Sequence, residues 1–246
     1  TVSYFNTKKT DTYTPNGVQV NLAVGTVIDP AGNTDQLTNI ENINGTKFDD
    51  QIFGDSEANT LNGYDGNDTL DGGEGNDTLD GGAGDDVLST GDGNDSLSGG
   101  LGNDTLIISG VGDSTLDGGE GIDTFKIDLS NYTPPEGVTD FAYKADLSTG
   151  FVGSKYNPNH VNNDDIVNIE NIDYSGSYDA ELIGDKLDNV ISSGDGDDTI
   201  HGGAGDDIIK SGAGDDFIYG EAGEFQKDSF VHLLETIQKR ESKKRF

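Results

Sequence analysis

Asp68, Asp77, Asp86, Asp95 and Asp104 stand nine residues apart, with Asp50 before them and Asp123 after them in nearly the same frame. Carboxylates at fixed spacing can do two kinds of chemistry: paired, they move protons, and stacked, they hold a cation. The groups a hydrolase would need beside them are missing. The sequence has no His-Glu-x-x-His metalloprotease motif, no Gly-x-Ser-x-Gly elbow and no cysteine for a thiol nucleophile or a disulfide scaffold. His160, His201 and His232 have no nucleophile next to them, and His201 falls at the outward-facing end of a repeat. The sequence therefore predicts a cation-binding module and not an enzyme, whatever activity a longer parent protein holds.

Each of these aspartates is the sixth residue of a nine-residue unit. Gly63-Tyr-Asp-Gly-Asn-Asp68-Thr-Leu70-Asp71, Gly72-Gly-Glu-Gly-Asn-Asp77-Thr-Leu79-Asp80 and Gly81-Gly-Ala-Gly-Asp-Asp86-Val-Leu88-Ser89 follow one another. Neighbouring units keep Ile52, Leu61, Leu97, Leu106, Leu116 and Phe125 at the eighth place, with one extra residue at Ile108. Glycines at the first, second and fourth places are expected to let the backbone turn through φ > 0. What remains is a short strand, polar-apolar-polar, that buries one side chain, too little to offset the cost of ordering it. Stacking is required. A coil of two units per turn, with strands in two parallel sheets, lays residues i and i+18 over one another about 4.8 Å apart. Asp50, Asp68, Asp86 and Asp104 then line one edge, and Asn59, Asp77, Asp95 and Ser114 the other. Unpaired carboxylates at that spacing repel strongly. Calcium is the cation that fits them, because it takes six to eight hard oxygen ligands and accepts carboxylates mixed with peptide carbonyls. Softer metals have no ligand set here, and an EF-hand is excluded because no helices flank the segments and its loop spacing is absent.

The unit Gly-Gly-x-Gly-x-Asp-x-apolar-x resembles the repeats-in-toxin (RTX), or haemolysin-type calcium-binding, family, whose nonapeptides form calcium-binding coils. The resemblance implies a right-handed parallel β-roll in which sixth-place aspartates and glycine-turn carbonyls of successive coils share several Ca2+ ions. In the first ladder it points to Asp50, Asp68, Asp77, Asp86, Asp95, Asp104 and Asp123, but not to Ser114. The accompanying turn residues are Gly63, Asp65, Gly66, Gly73, Gly75, Gly82, Gly84, Gly91, Gly93, Gly100, Gly102, Gly119 and Gly121. In a second, shorter ladder it points to Gly194, Gly196, Asp198, Gly203, Gly205, Asp207, Gly212, Gly214 and Asp216. That ladder opens with Asn189 at the sixth place and is expected to hold fewer ions.

The formal charge of −33 and hydrophobic content of 31% would ordinarily mark a solvated, disordered chain. The strict phase of the eighth-place residue argues for order once metal neutralises the charge, and for disorder without it. Such an acidic chain excludes nucleic acid and anionic membranes as partners, and no apolar run reaches a membrane span. Calcium sites of this kind are weak, on the order of 0.1–1 mM, so they fill outside the cell.

Along the chain the sequence divides into a non-repeat β segment (1–44), a first β-roll (45–126), a second non-repeat segment (127–175), a second β-roll (176–223) and a basic tail (224–246). The two halves repeat one another. Val18-Gln-Val-Asn-Leu22 matches Tyr143-Lys-Ala-Asp-Leu147, and Asn39-Ile-Glu-Asn-Ile43 recurs as Asn168-Ile-Glu-Asn-Ile172. Glu41 and Glu170 are read as turn or register residues of the first coil. The second roll reads as one residue short near Gly176. Thr1-Val2-Ser3-Tyr4 matches Thr124-Phe125-Lys126-Ile127, as though the chain begins inside a repeat and is cut from a longer polypeptide. In the tail, Phe230, Leu233, Leu234 and Ile237 would form one face of a short helix, with Lys239, Arg240, Lys243, Lys244 and Arg245 beyond it. The tail is read as a cap for the coil, an export signal or a foreign segment.

The family resemblance implies a module of a larger protein of a Gram-negative type bacterium, exported unfolded through a type I channel and folded by calcium outside. The alternatives are a polysaccharide- or surface-binding module, with Tyr132, Phe141, Tyr143, Phe151 and Tyr156 as stacking rings, or the non-catalytic part of a secreted epimerase, protease or lipase.

Overall fold

The eighth-place residue decides the architecture, because it is the one side chain per unit that a three-residue strand can turn inward. A computed structural model describes residues 1–3, 17–128, 142–154 and 164–220, and these form strands and turns without a helix. The helix expected within 224–246 lies outside them. The chain makes two compact units, the first from the described residues of 1–126 with 164–169, the second from those of 127–154 with 170–220.

In the first unit one sheet runs Val2–Ser3, Asn42–Asn44, Thr60–Asp65, Thr78–Ala83, Ser96–Leu101, Thr115–Glu120, Asp164–Val167. The other runs Thr124–Asp128, Thr105–Ile108, Val87–Thr90, Thr69–Gly73, Gln51–Asp55, Gln19–Asn21, Thr26–Ile28, Thr34–Gln36. Successive repeats alternate between the sheets, so parallel neighbours are two units apart: Leu61 pairs with Leu79, and Leu70 with Leu88. Ile108 still pairs with Thr90 eighteen residues before it, so the extra residue is not Ile108 but lies between it and Val111; beyond that point the register becomes Leu97 with Leu116. Between the sheets lies one file of side chains from each, Ile43-Leu61-Leu79-Leu97-Leu116 and Ile52-Leu70-Leu88-Leu106-Phe125, all buried. At about 1.5–3 kcal/mol per buried side chain, the file stabilises the stack but leaves no second layer in reserve.

The second unit has the same plan. Ala142–Asp146 pairs with Phe151–Ser154 on one side and with Asp179–Ile183 on the other, and Thr199–His201 and Phe217–Tyr219 continue that sheet. Asn171–Ser175, Val190–Ser192 and Ile208–Lys210 make the facing sheet. Both non-repeat segments enter through an antiparallel hairpin, Gln19–Asn21 with Thr26–Ile28 and Ala142–Asp146 with Phe151–Ser154, whose first strand then pairs parallel to a coil strand. The matching Asn21 and Asp146 accept turn N–H groups from Val24 and from Ser148 and Thr149, and Gly25 and Gly150 complete the turns in the left-handed region. The shared sequence patterns thus build one hairpin twice. Near Gly176 the second roll is longer than the repeat and not shorter. Ile172 pairs with Ile191, nineteen residues on, whereas Leu182 pairs with Ile200, eighteen on, so the added residue lies between Ile172 and Leu182.

Candidate metal centre

Stacking at two units per turn places the sixth-place residues along the coil edges, at the point where turn becomes strand. Asp68, Asp77, Asp86, Asp95, Asp104 and Asp123 are all at least 96% buried. One carboxylate oxygen of each has the same use. Asp68 Oδ1 accepts the Asp50 N–H at 2.7 Å, Asp86 that of Asp68 at 2.7 Å, Asp104 that of Asp86 at 2.8 Å and Asp123 that of Asp104 at 2.7 Å. On the other edge Asp77 accepts from Asn59 and Asp95 from Asp77. The second unit repeats this with Asp198, Asp207 and Asp216, which accept from Ala180, Asn189 and Asp198.

The other oxygen is different. Oδ2 of Asp68, Asp77, Asp86, Asp104 and Asp207 is buried with no hydrogen-bond partner. It lies against the first-place glycine of its own unit: a Cβ on Gly63, Gly72, Gly81 or Gly99 would collide with Oδ2 of Asp68, Asp77, Asp86 or Asp104. These first-place glycines do not adopt φ > 0, so the expectation that all three glycines serve the turn is corrected. The first leaves room for a carboxylate. The second and fourth turn the chain, as Gly82 (φ 108°) and Gly84 (φ 141°) show, and they also let coils close up, since a Cβ there would strike the carbonyl of Tyr64 or Gly66 one coil away. Where a hydroxyl replaces the first glycine, at Thr90 and Ser193, it sits by the sixth-place acid and holds down the pKa of Asp95 and Asp198.

Burial raises every one of these acids for which a shift is resolved, with like-charged neighbours adding to it along much of the column. Asp68 is pushed up to about 8, Asp86 to about 7, and Asp77 and Asp198 to about 6. Asp95, Asp104 and Asp207 are raised as well. A bare buried carboxylate oxygen costs several kcal/mol unless something neutralises it.

Among the described residues no three acidic or histidine side chains converge on one point. The columns supply one carboxylate per coil, so a cation held there must take its remaining ligands from peptide carbonyls. That donor set of oxygens alone suits a hard cation such as calcium and offers nothing to the softer metals that need nitrogen or sulfur ligands. A model of the RTX calcium-binding nonapeptide repeat, in four copies, matches residues 44–79, 71–106 and 192–224.

The chain carries RTX calcium-binding repeats.

No curated protein matches the chain. The RTX repeats build an all-β parallel β-roll, a calcium-binding structural module. The expected turn residues flank the columns, except that the Asp65 side chain is exposed at the third place and Gly63, Gly91 and Gly194 keep ordinary φ. Asp50 sits in register with the others, but both its oxygens are occupied. Val18 N–H donates to Oδ1 at 2.6 Å, Thr46 N–H to Oδ2 at 2.6 Å, and the Thr46 hydroxyl to Oδ1 at 3.0 Å. Asn59 and Asn189 open the two ladders without charge. Each amide donates to the coil before it, to Glu41 O at 3.0 Å and Glu170 O at 2.7 Å, and accepts from Asp55 or Asp185. Glu41 and Glu170 therefore enter through their backbone, beside Asn39 and Asn168 in the left-handed region at φ 56° and 52°. Ser114 completes its column through Oγ, which accepts the Asp95 N–H at 3.1 Å.

Two features escaped the sequence reading. The fifth place is no free position: Asp49, Asn67, Asp85 and Asn103 each accept, through the side chain, the N–H of the residue one coil on, as do Asn76 and Asn94 on the other edge. Its signal was the prevalence of Asn and Asp at that place, broken in the first ladder at Ala58 and Ile122. The other is Asp164, which lies outside the repeats and has no period to reveal it. Of the rings read as a sugar platform, Tyr143 is buried and stacks on Tyr174 with centroids 6.2 Å apart, and Phe151 is half-buried; Tyr132, Phe141 and Tyr156 lie outside the described residues.

Proposed function

We propose that this chain is a calcium-driven folding and stabilising module of a larger secreted protein, held open by charge repulsion until it meets millimolar calcium outside the cell. The observation that carries the reading is the row of buried sixth-place Oδ2 atoms without a hydrogen-bond partner, in a coil that pairs the partner oxygen of each carboxylate to backbone N–H. Bound calcium would neutralise these carboxylates and supply folding free energy directly. The residues that would hold it are Asp68, Asp77, Asp86, Asp95, Asp104 and Asp123 in the first unit and Asp198, Asp207 and Asp216 in the second, with carbonyls of the glycine turns. Asp50 serves as the lid of its column, since Val18 and Thr46 already use its oxygens. Weak sites and a charge of −33 suit a chain that stays unfolded in a calcium-poor cytosol and passes an export channel of the type I kind. The parent in this reading is a secreted protein of a Gram-negative type bacterium.

Circular dichroism at pH 8, from chelator to about 10 mM calcium with magnesium as control, tests this. A cooperative gain of β signal with calcium alone is expected. A folded spectrum in chelator would sink the mechanism.

A further inference from the structure

Between Ser114 and the next rung of its column the spacing is 50 residues, where the repeat has 18 or 19. The strand Asp164–Val167 comes from the second non-repeat segment, yet it lies on Thr115–Asp117 as the next coil would, Leu116 beside Ile166 and Thr115 beside Asp165. Asp164 thereby occupies a sixth place. Its Oδ1 accepts the Ser114 N–H at 2.8 Å, the bond that Asp77 and Asp95 make in the same column. The residue is 0% exposed, and its Oδ2 is buried with no partner.

The chemistry of the other rungs shows what that bare oxygen means. Rungs whose hydrogen bonds are closed by protein carry no charge: Asn59 and Asn189 donate from their amides, and Ser114 offers a hydroxyl. Asp50 is a carboxyl, but both its oxygens are covered. A rung needing only to accept the N–H below it would be served by Asn or Ser. Asp164 has a second carboxyl oxygen buried without a partner, at a cost that a purely structural acceptor would avoid.

We propose that Asp164 is a calcium ligand supplied from outside the repeats, adding a cation site to the Asp77–Asp95–Ser114 edge above the coil where the periodic pattern ends. The proposal rests on the calcium reading of the columns. Its consequence is that the non-repeat segment is tied to the first roll by metal as well as by strand pairing, so the two are coupled by calcium.

The test is calcium stoichiometry by isothermal titration calorimetry at pH 8 on the whole chain. Asp164→Asn and Asp164→Ser are compared with Asp165→Asn, an exposed neighbour, and with Asp77→Asn within the repeats. The two Asp164 variants keep an Oδ or Oγ acceptor for the Ser114 N–H, and circular dichroism in calcium confirms that they fold. The expected result is one ion fewer in both, with the wild-type number in Asp165→Asn. A wild-type number in both Asp164 variants, alongside a loss in Asp77→Asn, overturns the role of Asp164 and leaves the calcium columns standing. No calcium binding by the unmodified chain overturns both.

Discussion

A nine-residue unit leaves little freedom to any side chain, and the structure assigns a different physical task to almost every place. The sixth residue gives one oxygen to the backbone ladder and keeps the other bare; the fifth accepts an N–H from the opposite direction; the first is glycine at Gly63, Gly72, Gly81 and Gly99, where a Cβ would collide with the bare oxygen, and a hydroxyl residue at Thr90 and Ser193. Tyr64 breaks the pattern, standing at a second place, where glycine belongs, with φ 83°. An L-residue there costs about 1–2 kcal/mol, and part of the gain from relieving it is offset by glycine's greater freedom when unfolded. Tyr64→Gly is expected to stabilise the chain by about 0.5–1 kcal/mol, read from urea melts in saturating calcium. A lower midpoint would mean that contacts of the phenol ring outweigh the strain. The sixth-place acids were legible because their period is strict. The fifth-place ladder was not, because Asn and Asp there look like ordinary turn residues until the coil above supplies the N–H.

Each strand from Gln51–Asp55 to Ser96–Leu101 contributes one inward apolar side chain, so the core there is a single file and a gap in it cannot be refilled from another layer. Leu88, wholly buried between Leu70 and Leu106, is a direct probe. Leu88→Ala is expected to cost about 2–5 kcal/mol and to raise the calcium concentration at which β signal appears. An unchanged calcium midpoint would show that metal binding and closure of the core are separable. The repeat strands could be placed from sequence because apolar phase and glycine spacing agree. The hairpins could be matched to one another but not assigned partners, since Val20 beside Ile52 and Ala145 beside Leu182 are pairings between segments of different period.

Across the whole molecule the buried acids make folding depend on protons as well as metal. An unfolded aspartate titrates near 3.8, whereas Asp68 in the coil is raised to about 8 and Asp86 to about 7. The metal-free fold therefore keeps protons that the unfolded chain releases. The stability these raised carboxyls contribute is complete below about 3.8 and drains away as pH rises toward 8. In chelator, lowering the pH from 8 to 5 is expected to increase β signal, and calcium affinity is expected to rise from pH 6 to pH 8 as protons cease to compete. A metal-free chain that loses structure on acidification would contradict the buried position of these carboxylates.

Period, phase and composition by themselves determined that the chain is a two-sheet parallel roll with acid columns on its edges, because a nonapeptide with one apolar residue can bury it only by stacking. The tertiary structure decided which acids are bare and which are covered. Asp50 is closed by Val18 and Thr46, and Asp164 arrives in the column from 50 residues beyond Ser114. Such facts depend on which distant backbone N–H reaches a given oxygen, and where the spacing leaves the period no local pattern encodes it.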